Sequence, residues 1–107
     1  MAWTTLCDLS ELVPGQGHYA EIDGYQLAVF LHEGGVFVMD NTCPHAGGNL
    51  AGGVVEDGCA VCPMHNWAFR LESGALRDAP GVIVRTYPTR ILDHHGKQLV
   101  QAFLPIY

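Results

Sequence analysis

Positive charge is scarce in this chain. Five Lys and Arg stand against eleven Asp and Glu in 107 residues, for a net charge of −6. That balance argues against nucleic acid or an anionic membrane surface as a partner, because both carry the same sign of charge. Long apolar runs are missing too, and nothing approaches the roughly 20 residues that a helix needs to cross a bilayer. The opening "MAWTTLCDLS" lacks the basic and then apolar run of a secretory signal. These absences predict a soluble, cytoplasmic protein with no membrane contact. In that compartment thiols are usually reduced, catalytic or metal-bound. The four cysteines are therefore expected to include ligands, not to form a disulfide framework.

Helical periodicity is also absent, apart from "LSELV", where one short turn of helix is expected. No repeat, low-complexity tract or linker interrupts the chain, and its length suits one compact domain over residues 1–107. Turn signals are what it has in abundance, with thirteen Gly and six Pro spread along it. Asp23-Gly24 joins "HYAEI" to "YQLAVF", and Glu33-Gly34-Gly35 separates apolar runs at 25–31 and 36–39. Asp57-Gly58 and Ser73-Gly74 repeat the device, and "DHHG" divides "VIVRTYPTRIL" from "KQLVQAFL". Short strands recurring between Gly-bearing turns predict an all-β fold, a sandwich or small barrel of antiparallel strands.

Two short stretches carry chemistry. "TCPHAGG" holds Cys43 and His45 two residues apart, and "VCPMHNWAF" holds Cys62 and His65 three apart. Each follows a predicted strand, one ending at Asp40 and the other at Val61, so both pairs belong on loops at one end of the scaffold. Three readings compete for this four-ligand set. Structural zinc accepts two Cys and two His, although zinc modules usually pair like with like, and Cys-x-His is tight for one small ion. A redox dithiol could use "CAVC" at Cys59 and Cys62, but the helix N-terminus that would activate the first thiol is missing. Cys59, on this reading, is a small buried hydrophobe sharing the core-facing side of its strand with Val61, and Cys7 is read the same way. In the third reading Cys43 and Cys62 hold one iron of a two-iron, two-sulfide cluster and His45 and His65 the other, which explains why each loop offers one ligand of each kind. Gly47, Gly48, Gly52 and Gly53 suit loops whose backbone must approach bridging sulfides closely.

The chain resembles the Rieske iron–sulfur proteins, whose signature is C-x-H, about sixteen residues, then C-x-x-H. The resemblance rests on these two boxes, on the "F-x-L-x-[ST]-G" hairpin at 69–74 and on "VRTYPTRI" at 84–91. It implies a fold of stacked antiparallel sheets with one [2Fe–2S] cluster per chain at the tip of two loops. It also implies ligation by Cys43, His45, Cys62 and His65, with the imidazole edges facing solvent. Respiratory members carry an extra disulfide between the cluster loops and a Ser hydroxyl beside the cluster. Here Gly48 and Met64 occupy the places of those cysteines and Trp67 that of the serine. Fewer donors to the sulfurs imply a potential near the low end of the range for such centres, about −150 mV.

The chain is therefore similar to the soluble ferredoxin type. That type implies an electron-transfer component of an oxidoreductase system and not a catalyst alone, with a flavin-containing reductase and a terminal oxygenase as partners. The small subunit of assimilatory NAD(P)H nitrite reductase, docked on its large subunit, is the alternative; a cluster-free or zinc-bound interaction module is a third. Met64 and Trp67, with Ala79-Pro80-Gly81 on a later loop, are expected to form an apolar collar around the ligands. His18, His32, His94 and His95 are read as solvated loop residues.

Overall fold

The computed structural model describes residues 1–44, 47–64 and 66–105. Among these, regular structure is strand, with two short 3-10 turns and no α-helix. The strands are β1 (Ala2–Asp8), β2 (Gly17–Ile22), β3 (Tyr25–His32), β4 (Gly35–Asp40), β5 (Val54–Glu56) and β6 (Cys59–Val61). They continue as β7 (Ala68–Arg70), β8 (Ala75–Leu76), β9 (Ala79–Ile83), β10 (Thr86–Tyr87), β11 (Thr89–His94) and β12 (Lys97–Leu104). All pairings are antiparallel, in three sheets ordered β1-β12-β11, β10-β4-β3-β2 and β5-β6-β7-β8-β9. The expected stack of antiparallel sheets is what the chain forms.

Four hairpins turn on an X-Gly pair in which both residues have positive φ: Asp23-Gly24, Glu33-Gly34, Asp57-Gly58 and His95-Gly96. Two-residue turns of this kind match the right-handed twist of the strands they join. Leu9–Glu11 is the expected turn of helix, held by a capping box between Asp8 and Glu11.

The middle sheet serves two cores. Leu27, Val29, Val36 and Val38 pack with Val100, Ala102 and Leu104 of the first sheet, while Ala28, Phe30 and Met39 pack with Ala60, Phe69 and Leu76 of the third. Burial on both faces explains why "LAVF" and "VFVM" read as continuous apolar runs instead of alternating. The second of these cores also contains Cys43, Leu50, Ala51 and Cys62. The loops that follow β4 and β6 are thus anchored in the packed interior.

The single strand expected over "VIVRTYPTRIL" is instead three. β9, β10 and β11 join three different sheets, each at an edge. Pro88 lies between the last two, and its lack of an N–H confines proline to edges and breaks; its carbonyl accepts from the Phe103 N–H at 2.9 Å. β1 is an edge strand that the sequence pattern did not announce. Its burial is slight except at Cys7, so the apolar alternation that reveals a strand is absent. His18 lies within β2 and His32 ends β3, both half-buried, not on loops; His94 ends β11 and His95 stands in the following turn.

Candidate metal centre

Loop one begins at Asn41, a buried polar residue that sequence reasoning did not single out. Its N–H donates to the Gln26 carbonyl and its own carbonyl accepts from the Leu50 N–H, both at 2.9 Å. Its Oδ1 accepts from the Ala51 N–H at 2.8 Å. Thr42 and Asn49 then form an isolated bridge. Farther in, the Cys43 N–H donates to the Gly48 carbonyl and the Gly47 N–H to the Cys43 carbonyl, each at 2.9 Å. The loop is a laced ladder whose lowest rungs belong to Asn41. An apolar run ending in Asp-Asn is the one sequence cue to that residue, and it reads as an ordinary strand exit.

Removing the Asn41 amide strands the Ala51 N–H in a buried place, a loss of about 1–3 kcal/mol. Asn41→Ala is therefore expected to lower unfolding free energy by that amount in a denaturant titration. An unchanged midpoint would mean that Ala51 finds another acceptor and that the side chain does not hold the loop.

Loop two is closed by the Cys62 N–H, which donates to the Trp67 carbonyl at 2.8 Å. Inside it, the Met64 N–H is aimed at the Cys62 sulfur, and the Cys43 thiol lies against that same sulfur. Two cysteines nineteen positions apart in sequence thus meet side by side, both almost completely buried. Burial is the main force raising the Cys62 pKa. The Met64 N–H opposes it, and the neighbouring Cys43 raises it further. A free thiol here stays protonated, so a bound metal must expel that proton to gain a thiolate ligand.

The residues present fit a thiolate-held cluster. The Gly48 backbone backs directly onto the Cys62 sulfur, and a Cβ there would lie 2.7 Å from Sγ. That space is left for sulfur and whatever the sulfur binds. The same Cβ would stand 3.6 Å from the Met64 Cβ, so Gly48 and Met64, the two places that the resemblance matches to an extra cysteine pair, are neighbours in space. His45 and His65, the expected imidazole ligands, lie outside the described residues.

Cys59 is buried as expected, but its strand faces otherwise than predicted. Ala60 and Cys62 contribute to the core, while Val61 is only half-buried. Because β6 is extended, Cys59 and Cys62 lie about 10 Å apart, beyond the reach of a disulfide. Cys7 is also buried, in the other core. Its pKa is pushed up to about 11 by burial, assisted by the Glu11 and Asp8 carboxylates.

Around the loops, Met64 is 49% exposed, while Trp67 is half-buried, packed on the core and tilted against Phe69 at 6.4 Å between ring centroids. Ala79-Pro80-Gly81 opens the edge strand β9 and does not form a loop as predicted. Ala79 and Val82 share a groove with Asn66 and Trp67. The expected collar is thus divided. Met64 is rim, and Trp67 is mainly core.

The chain matches the Rieske [2Fe-2S] domain family over residues 2–88. A Mycobacterium tuberculosis protein assigned as the small subunit of an NADH-dependent nitrite reductase superposes with a TM-score of 0.83 at 32% identity, covering 98% of this chain and 97% of its own. The ferredoxin subunit of anthranilate 1,2-dioxygenase from Burkholderia cepacia is 41% identical over 68 residues, 63% of each chain. A cholesterol 7-desaturase of Hemicentrotus pulcherrimus is 38% identical over 80 residues, which are 73% of this chain and 17% of the desaturase. The chain therefore spans under a fifth of that relative's length. Among the described residues, no helix is long and apolar enough to cross a membrane. With two buried thiols meeting beneath two loops, and with these likenesses, the chain belongs to the Rieske [2Fe-2S] domain family, whose cofactor is a [2Fe–2S] cluster.

Proposed function

We propose that this protein is an electron carrier in which Cys43, His45, Cys62 and His65 hold the cluster, and that it passes single electrons from a flavin-containing reductase to a terminal oxygenase. When bound, the cluster supplies one-electron redox chemistry at low potential. Cys43 and Cys62 give two thiolates from within the packed core, and the Met64 N–H is aimed at the sulfur of Cys62. The surrounding apolar side chains exclude water from that side. His45 and His65 are assigned to the second iron from the resemblance to the Rieske signature, whose spacing they match. Gly48, Met64 and Trp67 leave no disulfide between the loops and no hydroxyl at the serine place, which supports a potential near the low end for such centres, about −150 mV.

The observation that carries this reading is the meeting of Cys43 and Cys62, each at the base of its own loop and both at one end of the fold. The likeness to a dioxygenase ferredoxin subunit supports oxygenase partners. A second reading, the small subunit of a nitrite reductase docked on its large subunit, is favoured by a superposition that covers nearly the whole of both chains.

The test uses purified, iron-loaded protein. On the first reading, NADH and a flavin reductase bleach its visible spectrum, and an added ring-hydroxylating oxygenase restores the colour while forming product. On the second, it co-elutes with a nitrite reductase large subunit, and the oxygenase restores no colour. Failure of both would refute the two partner assignments together.

A further inference from the structure

Five described residues other than glycine have positive φ: Asp23, Glu33, Asp57, Asn66 and His95. Four of them precede a glycine that also has positive φ, inside a two-residue hairpin turn, and those turns explain them. Asn66 has no such explanation. It stands at φ +54 in the loop between β6 and β7, with Trp67 after it. It is exposed, so packing does not force the conformation. A left-handed backbone disfavours an ordinary residue by a factor of about 5 to 30 in population, whereas glycine is free of this penalty and asparagine feels it least among the rest. The reversal at Asn66 brings the Trp67 carbonyl back to the Cys62 N–H. The segment it closes also sets the Met64 N–H against the Cys62 sulfur.

We propose that Asn66 is a positioning residue for the cluster. Its left-handed backbone presets the return of the chain from Trp67 to Cys62, so that ligation does not have to impose it. The proposal rests on the ligand assignment above, because only a loop that carries ligands gains from being preset. Asp57 supplies an internal control. It has nearly the same φ, +50, in a turn that bears no proposed ligand.

The experiment compares Asn66→Ala, Asn66→Gly and Asp57→Ala in the iron-loaded protein. It reads iron release to a chelator, the EPR g-values and the thermal midpoint. Asn66→Ala is expected to release iron about 5 to 30 times faster, the factor set by the backbone preference, with shifted g-values. Asn66→Gly should match the parent protein in both readouts. Asp57→Ala should lower the thermal midpoint as much as Asn66→Ala does, yet leave iron release and g-values unchanged. Parent-like iron release in Asn66→Ala would overturn the proposal. So would a failure of glycine to restore it, since the amide and not the backbone would then be at work. Retention of the cluster in His65→Ala would instead refute the ligand assignment, and this proposal with it.

Discussion

Cys62→Ala is expected to purify colourless, with little or no bound iron, while Cys59→Ala keeps full colour. Both cysteines are buried and lie in one "CAVC" string, so composition and burial do not tell them apart. Position does. Cys62 follows strand β6 directly, beside Cys43, with a backbone N–H aimed at its sulfur. Cys59 begins the same strand, paired with Glu56 and Arg70 beside the Asp57-Gly58 turn, at the opposite end. The roughly 10 Å between them along an extended chain is several times an iron–thiolate bond. Cys7→Ala should also keep its colour, because Cys7 packs in the other core and its thiol, pushed up to about 11, stays protonated near neutral pH. Iron analysis and the visible spectrum read the result, and far-UV circular dichroism confirms that each variant folds. A coloured, iron-replete Cys62→Ala would sink the thiolate assignment. A colourless Cys59→Ala would move it by three residues.

Much of this architecture was legible because turns are written locally. Asp23-Gly24, Glu33-Gly34 and Asp57-Gly58 announce their hairpins by residue type, since few pairs accept two positive φ values in succession. Cys43 and Cys62 stood out by spacing, and their side chains lie side by side. What stayed hidden depends on contacts between segments distant in sequence. The run at 82–92 carries one local sign of a break, Pro88, but nothing local says that its three parts will each complete a different sheet. Strand β1 hid for the opposite reason, since it buries too little to show a pattern. The facing of β6 was misread because half-burial of Val61 is decided by its neighbours and not by its own hydrophobicity. Asn41 is the hardest case. Its role lies in hydrogen bonds to Gln26, Leu50 and Ala51, and no spacing rule connects those positions.

Gly48→Ala is expected to lose most of the cluster without losing the fold. An added Cβ would sit 2.7 Å from the Cys62 sulfur, closer than real Cβ contacts come. Neither side of the contact can yield easily. The Gly48 carbonyl is tied to the Cys43 N–H, and Cys62 is tied to the Trp67 carbonyl and packed among core residues. Relief requires either that loop one lift away or that the Cys62 side chain rotate, and each displaces a thiol from the pair. Forcing a methyl into a filled interior costs about 1–3 kcal/mol. Three well-packed sheets elsewhere can absorb that loss, whereas a cluster that needs both sulfurs in register cannot. Gly81→Ala is the matched control, since an added Cβ there meets nothing within 4 Å and the backbone is not left-handed. Iron per chain and the visible spectrum should therefore fall sharply in Gly48→Ala and stay at parent values in Gly81→Ala, with the same far-UV circular dichroism in both. If Gly48→Ala binds a full complement of iron, the space behind Cys62 is not what the cluster requires, and the close approach of the two loops is incidental to it.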